Sequence, residues 1–161
     1  QSEKKLAKLQ RQLSRKTKGS ANWNKARFQI ANLYEHIANQ RNDMLHKLST
    51  QIVHQNDVVC IEDLSPINMA KNHKLAKDIY DVSWSKFRKQ LTYKAEWYGK
   101  QLIIVDRFYA SSQTCSHCGE NWPGTKDLRV RQWACPICGA VLDRDTNAAV
   151  NILCEGLRQI A

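Results

Sequence analysis

A chain of 161 residues fits one domain, or a domain with a small appendage, and is long enough to bury a modest core. Its 25 Lys and Arg against 15 Asp and Glu give a net charge of +10, which favours a polyanionic partner, nucleic acid before anionic membrane. No apolar run approaches the roughly 18 to 20 residues that span a bilayer, and the N-terminus carries no signal-peptide stretch, so the chain reads as soluble and cytoplasmic, in the nucleoid-associated class.

From Glu3 to about Lys16, Leu6, Leu9 and Leu13 recur at helical spacing in a basic background. Thr17-Lys-Gly-Ser20 breaks that pattern, and a second one runs through Trp23, Ala26, Ile30, Leu33, Ile37, Met44, Leu45, Leu48 and Ile52. Residues 1–56 therefore read as a helical hairpin. Arg27, Arg41 and Lys47 lie on its polar face, where they could follow a phosphate backbone or simply be solvated. Asn56-Asp57 ends the helix, and Val58-Val-Cys-Ile61 suits a buried strand that runs into Glu62 and Asp63. Helical periodicity resumes at Leu75 and continues through Ile79, Trp84, Phe87, Leu91 and Tyr98 to a stop at Gly99, before the second apolar run Gln101-Leu-Ile-Ile-Val105. A strand, a helix of about 25 residues and a strand over 57–107 predict a βαβ unit with parallel strands and a right-handed crossover.

The composition shifts at Ser111 to Cys, Gly and polar residues, which marks 111–142 as an insertion. Within it, Cys115-Ser-His-Cys118 and Cys135-Pro-Ile-Cys138 are two C-x2-C pairs separated by 16 residues, the spacing of a four-cysteine zinc site. Two intervening residues let both thiolates of a tight turn face one ion. Four thiolates leave no open position, so the predicted role is structural, and His117 is surplus to a full tetrahedron. Trp122, Lys126, Arg129, Arg131 and Trp133 lie between the pairs. They could stack on bases and contact phosphates, or Trp133 could pack beneath the metal. Cys60 and Cys154 sit among apolar neighbours and read as inert core residues. The last segment, 143–161, reads as a helix with Ala148, Ala149, Ile152, Leu153 and Leu157 on one stripe.

Glu62 closes the first strand and Asp145 opens the last helix. Acids at the carboxyl ends of parallel strands converge on the ligand-binding crevice, and two of them in so basic a chain suggest a divalent-ion site for phosphodiester hydrolysis, with Mg²⁺ as the fitting ion. The alternative leaves Asp145 as a helix cap and pairs Glu62 with a lysine.

Ile61-Glu-Asp-Leu64, Ser83-Trp84, Leu91-Thr-Tyr-Lys-Ala-Glu96, Ser111-Ser-Gln-Thr-Cys-Ser-His-Cys-Gly119, Cys135-Pro-Ile-Cys-Gly139 and Asp143-Arg-Asp-Thr-Asn-Ala-Ala-Val-Asn-Ile-Leu153, in that order, resemble the C-terminal half of the transposon-encoded TnpB (OrfB) family. That family is kin to the type V CRISPR effector nucleases. The resemblance implies an α/β chain: a partial RNase H-like (RuvC) nuclease domain over 1–110 and 143–161, interrupted by a zinc-ribbon target-nucleic-acid-binding module over 111–142. It implies RNA-guided, Mg²⁺-dependent DNA cleavage, with a guide RNA and DNA as partners of the full-length parent. Of the family's three metal-holding acids, it assigns two to Glu62 and Asp145, with Asp63 and Asp143 as neighbours. Arg144 and Asn147 would orient site or substrate, and Arg129, Arg131 and Arg144 join the basic residues facing nucleic acid.

The chain departs from that pattern at its start. The family's first acid lies on a strand ahead of the hairpin, whereas Gln1 is already inside the hairpin and the first aspartate, Asp43, is mid-helix. A fragment or a degenerate remnant is expected, with little or no cleavage by this chain alone. A non-catalytic zinc-ribbon nucleic-acid binder is the alternative, and it differs from the nuclease in having no use for Glu62 and Asp145.

Overall fold

The structure, a computed structural model, describes residues 2–71, 76 and 82–161. It divides into two compact units, 1–48 and 49–161.

The first unit holds α1 (Ser2–Ser14) and most of α2 (Ala21–Gln55). Ser20 starts α2, its Oγ accepting from the Trp23 amide at 3.2 Å. Gln10 donates across the hairpin to the Tyr34 hydroxyl at 3.0 Å. Ala26, Ile30, Leu33 and Leu45 are buried as the periodicity requires. Beyond Leu45 the buried line of α2 continues through Ser49 and Val53, not through Met44, Leu48 and Ile52 as the sequence pattern suggested; Met44 and Leu48 are exposed. At about 100° per residue Met44 and Leu48 continue the face of Ala26, Ile30 and Leu33, so Leu45, Ser49 and Val53 mark a different face, chosen by what the C-terminal end of α2 packs against and not by its periodicity.

In the second unit, β1 (Val58–Glu62) and β2 (Gln101–Val105) pair in parallel, with Val58 opposite Gln101 and Glu62 opposite Val105. Lys100 reaches Asp57 at 2.5 Å just ahead of this register. Between the strands lie α3 (Pro66–Met69), a single turn begun by a proline at its first position, and α4 (Trp84–Trp97). The expected 25-residue helix is therefore shorter where it is described: α4 spans 14 residues, and Ser83 before it is left-handed at φ 55°. Leu75 and Ile79, expected on the same helix, lie outside the described residues. The Lys100 amide reaches back to the Ala95 carbonyl at 2.8 Å, a wrapped C-terminus around the positive φ of Gly99. Inside, Lys94 donates to Ser49 Oγ and Thr50 Oγ1, each at 2.7 Å, so α4 is held to the end of α2 by polar contacts, and Leu91, Ala95 and Val53 are buried.

After β2 the chain enters β3 (Gln132–Ala134) and β4 (Val141–Asp143), a small antiparallel ribbon, and passes without a break into α5 (Arg144–Arg158). α5 lies on the parallel pair at close range: a Cβ on Gly156 would sit 2.3 Å from Cys60 Sγ, so only glycine permits this helix–sheet approach. The face α5 buries is Asn147, Asn151 and Gly156, while Leu153 and Leu157 stay over 40% exposed and Cys154 is exposed. The apolar stripe expected to close the core is thus only partly used, and Cys154 is not a core residue.

Candidate functional site

The four cysteines come together. Cys115 Sγ lies 3.7 Å from Cys138 Sγ, Cys118 Sγ lies 3.6 Å from Cys135 Sγ, and all four fall within 4.8 Å of one another. A tetrahedron with metal–sulfur bonds of about 2.3 Å has sulfur–sulfur edges of about 3.8 Å, so the set is sized for one zinc-like ion. The two turns repeat each other. Gly119 N donates to Cys115 O and Gly139 N to Cys135 O at 2.8 and 2.9 Å, while Cys115 N and Cys135 N donate to Glu120 O and Ala140 O. Gly119 and Gly139 both take positive φ, 80° and 72°, which any side chain would oppose. The Cys138 amide first, with that of Ile137, draws the Cys135 thiol down to about 7, while, against the Glu120 amide, burial and the neighbouring thiols push that of Cys118 up to about 12, so without an ion the crowded sulfurs ionise one at the expense of another. Trp133 is buried against Cys115 and Cys135 and stacks on Trp122 at 5.1 Å. Of the two roles open for Trp133, packing beneath the cysteines is the one it has.

The acids separate into two kinds. Asp63 is taken by Arg88 and Arg107, and Arg107 first, then Arg88, holds its carboxyl below the usual range. Asp143 caps α5, accepting from the amides of Asp145 at 3.1 Å and Thr146 at 2.9 Å. These two are structural. Capping by Asp143 frees Asp145 from the cap role that was its alternative. Glu62, in turn, has no ion-pair partner among the described residues, so the lysine pairing that was its alternative is absent among them. Burial, and then the charge of Asp63, raises the Glu62 carboxyl above its ordinary value.

Glu62 and Asp145 line one cavity of about 480 Å³ together with Arg107, Phe108, Ser111, Gln113 and Arg144. Two elements bring them there: β1 ends at Glu62, and the α5 N-terminus lies beside the strand ends. Asp145 is exposed and meets Arg131 Nη1 at 3.1 Å. Arg144 Nε lies 3.4 Å from Asp145 Oδ1, yet neither Nε nor Nη1 of this inward-turned guanidinium makes a hydrogen bond, and both are buried.

Asn147 does not face the cavity's substrate side as an orienting group would. Its Oδ1 accepts from the Ser116 amide at 2.8 Å and its Nδ2 donates to Thr114 O at 2.7 Å. Asn151, one turn on, donates to the carbonyls of Ser111 and Thr114 at 2.8 and 2.6 Å. Sequence reasoning missed Asn151. The signal was present as an amide four residues after Asn147 on the same face of an amphipathic helix. It also missed the two arginines that fix Asp63, which come from a helix and a loop far along the chain.

The other basic residues expected to face nucleic acid are scattered. Arg27 lies over the Trp23 ring at 5.4 Å, Lys47 pairs with Asp43 at 2.7 Å, and Arg129 forks onto Asp127 at 2.8 Å. Arg41 is half-buried in the first unit. None of the helices of the described residues is long and apolar enough to cross a membrane.

Known proteins match on both sides of this geometry. The family model "Probable transposase" matches residues 1–73, and "Cas12f1-like, TNB domain" matches residues 84–152. A Streptomyces pristinaespiralis protein named "Putative RNA-guided DNA endonuclease" is 51% identical over 94% of this chain and 37% of its own length. One of Escherichia coli, "Putative RNA-guided DNA endonuclease InsQ", is 39% identical over 96% of this chain and 42% of its own. The chain thus spans about two fifths of these relatives. In fold it is similar to the protein in a cryo-EM structure of a Cas12f1–sgRNA–target DNA complex, at a TM-score of 0.62 and 20% identity, over 93% of this chain and 40% of that one.

Proposed function

Because this chain belongs to the TnpB (OrfB) family, we propose that it is the C-terminal part of a transposon-associated, RNA-guided DNA endonuclease. In this reading residues 1–110 and 143–161 are RuvC-like, the four cysteines hold a structural Zn²⁺, and Glu62 and Asp145 hold catalytic Mg²⁺. The single observation that carries it is the shared cavity of Glu62 and Asp145, lined also by a buried and unsatisfied arginine, while their neighbours Asp63 and Asp143 are spent on structure. When bound, divalent ions supply an activated water and stabilise the leaving oxygen of a phosphodiester.

The chain's own residues do the rest. Glu62, half-buried and without an ion-pair partner among the described residues, offers a carboxylate whose desolvation a cation would relieve. Asp145 exchanges its exposed contact with Arg131 for that site at little cost, since exposed pairs are worth about 0 to 1 kcal/mol. Arg144, on the wall of the same cavity, adds a permanent positive charge that favours a phosphate there. The cysteine ribbon and the +10 chain hold the strand through its phosphates.

Two carboxylates are fewer than the family's three, so this chain alone should cut little or not at all. The test extends it at the N-terminus to the length of its relatives and measures Mg²⁺-dependent cleavage of guide-matched DNA. Cleavage that Asp145→Ala and Glu62→Gln each abolish supports the nuclease. Cleavage indifferent to both substitutions refutes the site. The Arg131–Asp145 pair favours a second reading, a zinc-ribbon binder without chemistry in which that acid merely balances charge. Nucleic-acid binding with no cleavage in the extended protein would select it.

A further inference from the structure

Phe108 is the most exposed of the large apolar side chains described, at 86%, yet it stands on the wall of the cavity that holds Glu62, Arg144 and Asp145. A phenylalanine ring gains from burial, and nothing among the described residues collects that gain. Its backbone is nonetheless fixed. Asp106 Oδ1 accepts from the Phe108 amide at 2.7 Å, and the Tyr109 amide donates to Asp106 O at 3.1 Å. The preceding residue, Arg107, is tied to Asp63 just beyond β1. The exposed ring therefore belongs to a pinned turn on the wall of a cavity lined also by Arg107 and Arg144. One wall thus carries guanidinium groups suited to a phosphate and an exposed apolar π-face. A nucleotide of an unpaired strand has both complements, since its phosphate carries the charge and its base offers a stacking surface. A base inside a duplex is already stacked on both faces and cannot offer one.

We propose that Phe108 is a positioning residue that stacks on an unpaired nucleobase and so sets the adjoining phosphate against Arg144, Glu62 and Asp145. This rests on the nuclease reading of that cavity. Stacking is tolerant of base identity, so the contact fixes the strand's register and not its sequence.

The experiment uses the 161-residue zinc-loaded protein and a short single-stranded DNA oligonucleotide carrying one 2-aminopurine, titrated at several salt concentrations. Stacking should quench the fluorescent base, and Phe108→Ala should remove the quench and weaken single-strand binding about tenfold. Phe108→Trp should restore both. The slope of affinity against salt should stay unchanged, because no phosphate contact is lost, and affinity for the same sequence as a duplex should not move. Equal quenching and equal affinity in Phe108→Ala would overturn the proposal while leaving the site intact. So would equal weakening toward single strand and duplex, which marks a merely structural role. If the unaltered protein binds no single-stranded DNA at all, the cavity reading fails first and this proposal with it. Zinc content and circular dichroism of both variants check that the exposed position leaves the fold alone.

Discussion

Replacing Asn147 by alanine should cost far more than a buried amide usually does, because of what it leaves behind. Asn147 is 2% exposed. Its Oδ1 is the acceptor for the Ser116 amide, and its Nδ2 serves the Thr114 carbonyl at 2.7 Å and, more weakly, that of Ser111 at 3.4 Å. Both carbonyls keep Asn151 as a donor when Asn147 is removed, but the Ser116 amide loses its acceptor. That donor is part-buried, so orphaning it costs about 1 to 2 kcal/mol, and the lost bond to Thr114 adds about 1 kcal/mol, giving about 2 to 3 kcal/mol. Asn151→Ala orphans nothing, since Asn147 still serves the same carbonyls, and should cost about 1 to 2 kcal/mol. Urea unfolding of the zinc-loaded protein measures the difference, and hydrogen exchange at Ser116 locates it. Equal losses for the two variants, or a loss under about 0.5 kcal/mol for Asn147→Ala, would refute the asymmetry and the hydrogen-bond account with it.

The protein should bind one equivalent of zinc, and Co²⁺ in its place should give the visible spectrum of a tetrahedral thiolate site; Cys138→Ser should weaken retention against a chelator, and stoichiometric binding unaffected by that change would rule out the four-sulfur site. Glu62→Gln should raise thermal stability at neutral pH, because folding holds this carboxyl above its ordinary value and penalises its charge. That penalty is present above the folded pKa and gone below the unfolded value of about 4.3, so the gain should vanish near pH 4; a gain that persists there would assign it to packing. Asp143 runs the other way. The Thr146 amide first, then the Thr146 hydroxyl, lowers its pKa, so the cap contributes above the unfolded value of about 3.9 and is lost as pH falls through the folded one. Asp143→Ala should speed exchange of the Asp145 and Thr146 amides at pH 7, and unchanged exchange would exclude the cap.

The elements were legible where local chemistry is self-sufficient. The paired C-x2-C turns with their following glycines, the strand ending in Glu62 and the parallel return at Gln101 all follow from spacing and hydrophobicity. The misreadings occurred where a neighbour decides. Leu153 and Leu157 look like core residues on a helical wheel, but burial on α5 is set by how near β1 comes, and that distance is fixed by Gly156 against Cys60. Which of Asp143 and Asp145 caps the helix could not be read from Asp-Arg-Asp, because both are good N-terminal residues. The strand pairing of Gln132 with Asp143 settles it by making Asp143 the last extended residue.

That same pairing ties the thiolates to the carboxylates. β4 and α5 share the junction at Asp143, the Arg144 amide donates to Arg131 O at 2.8 Å, and Arg131 Nη1 contacts Asp145. Asn147 and Asn151 bind the first cysteine turn to the opposite side of the same helix turn. The position of Asp145 is therefore specified from two directions by a ribbon that has only a small core, with Trp133, Trp122, Val130 and Leu142 around the cysteines. The four thiolates beside so small a core could hold a metal ion, and small metal-binding modules draw much of their stability from the ion. Stripping zinc should accordingly release Asp145 as well as the ribbon, seen as faster exchange along the first turn of α5 while the β1–β2 amides stay protected. Protection of that first turn in the zinc-free protein would show that α5 is held by the parallel strands alone, and that the ribbon is a passenger beside the acids and not part of what places them.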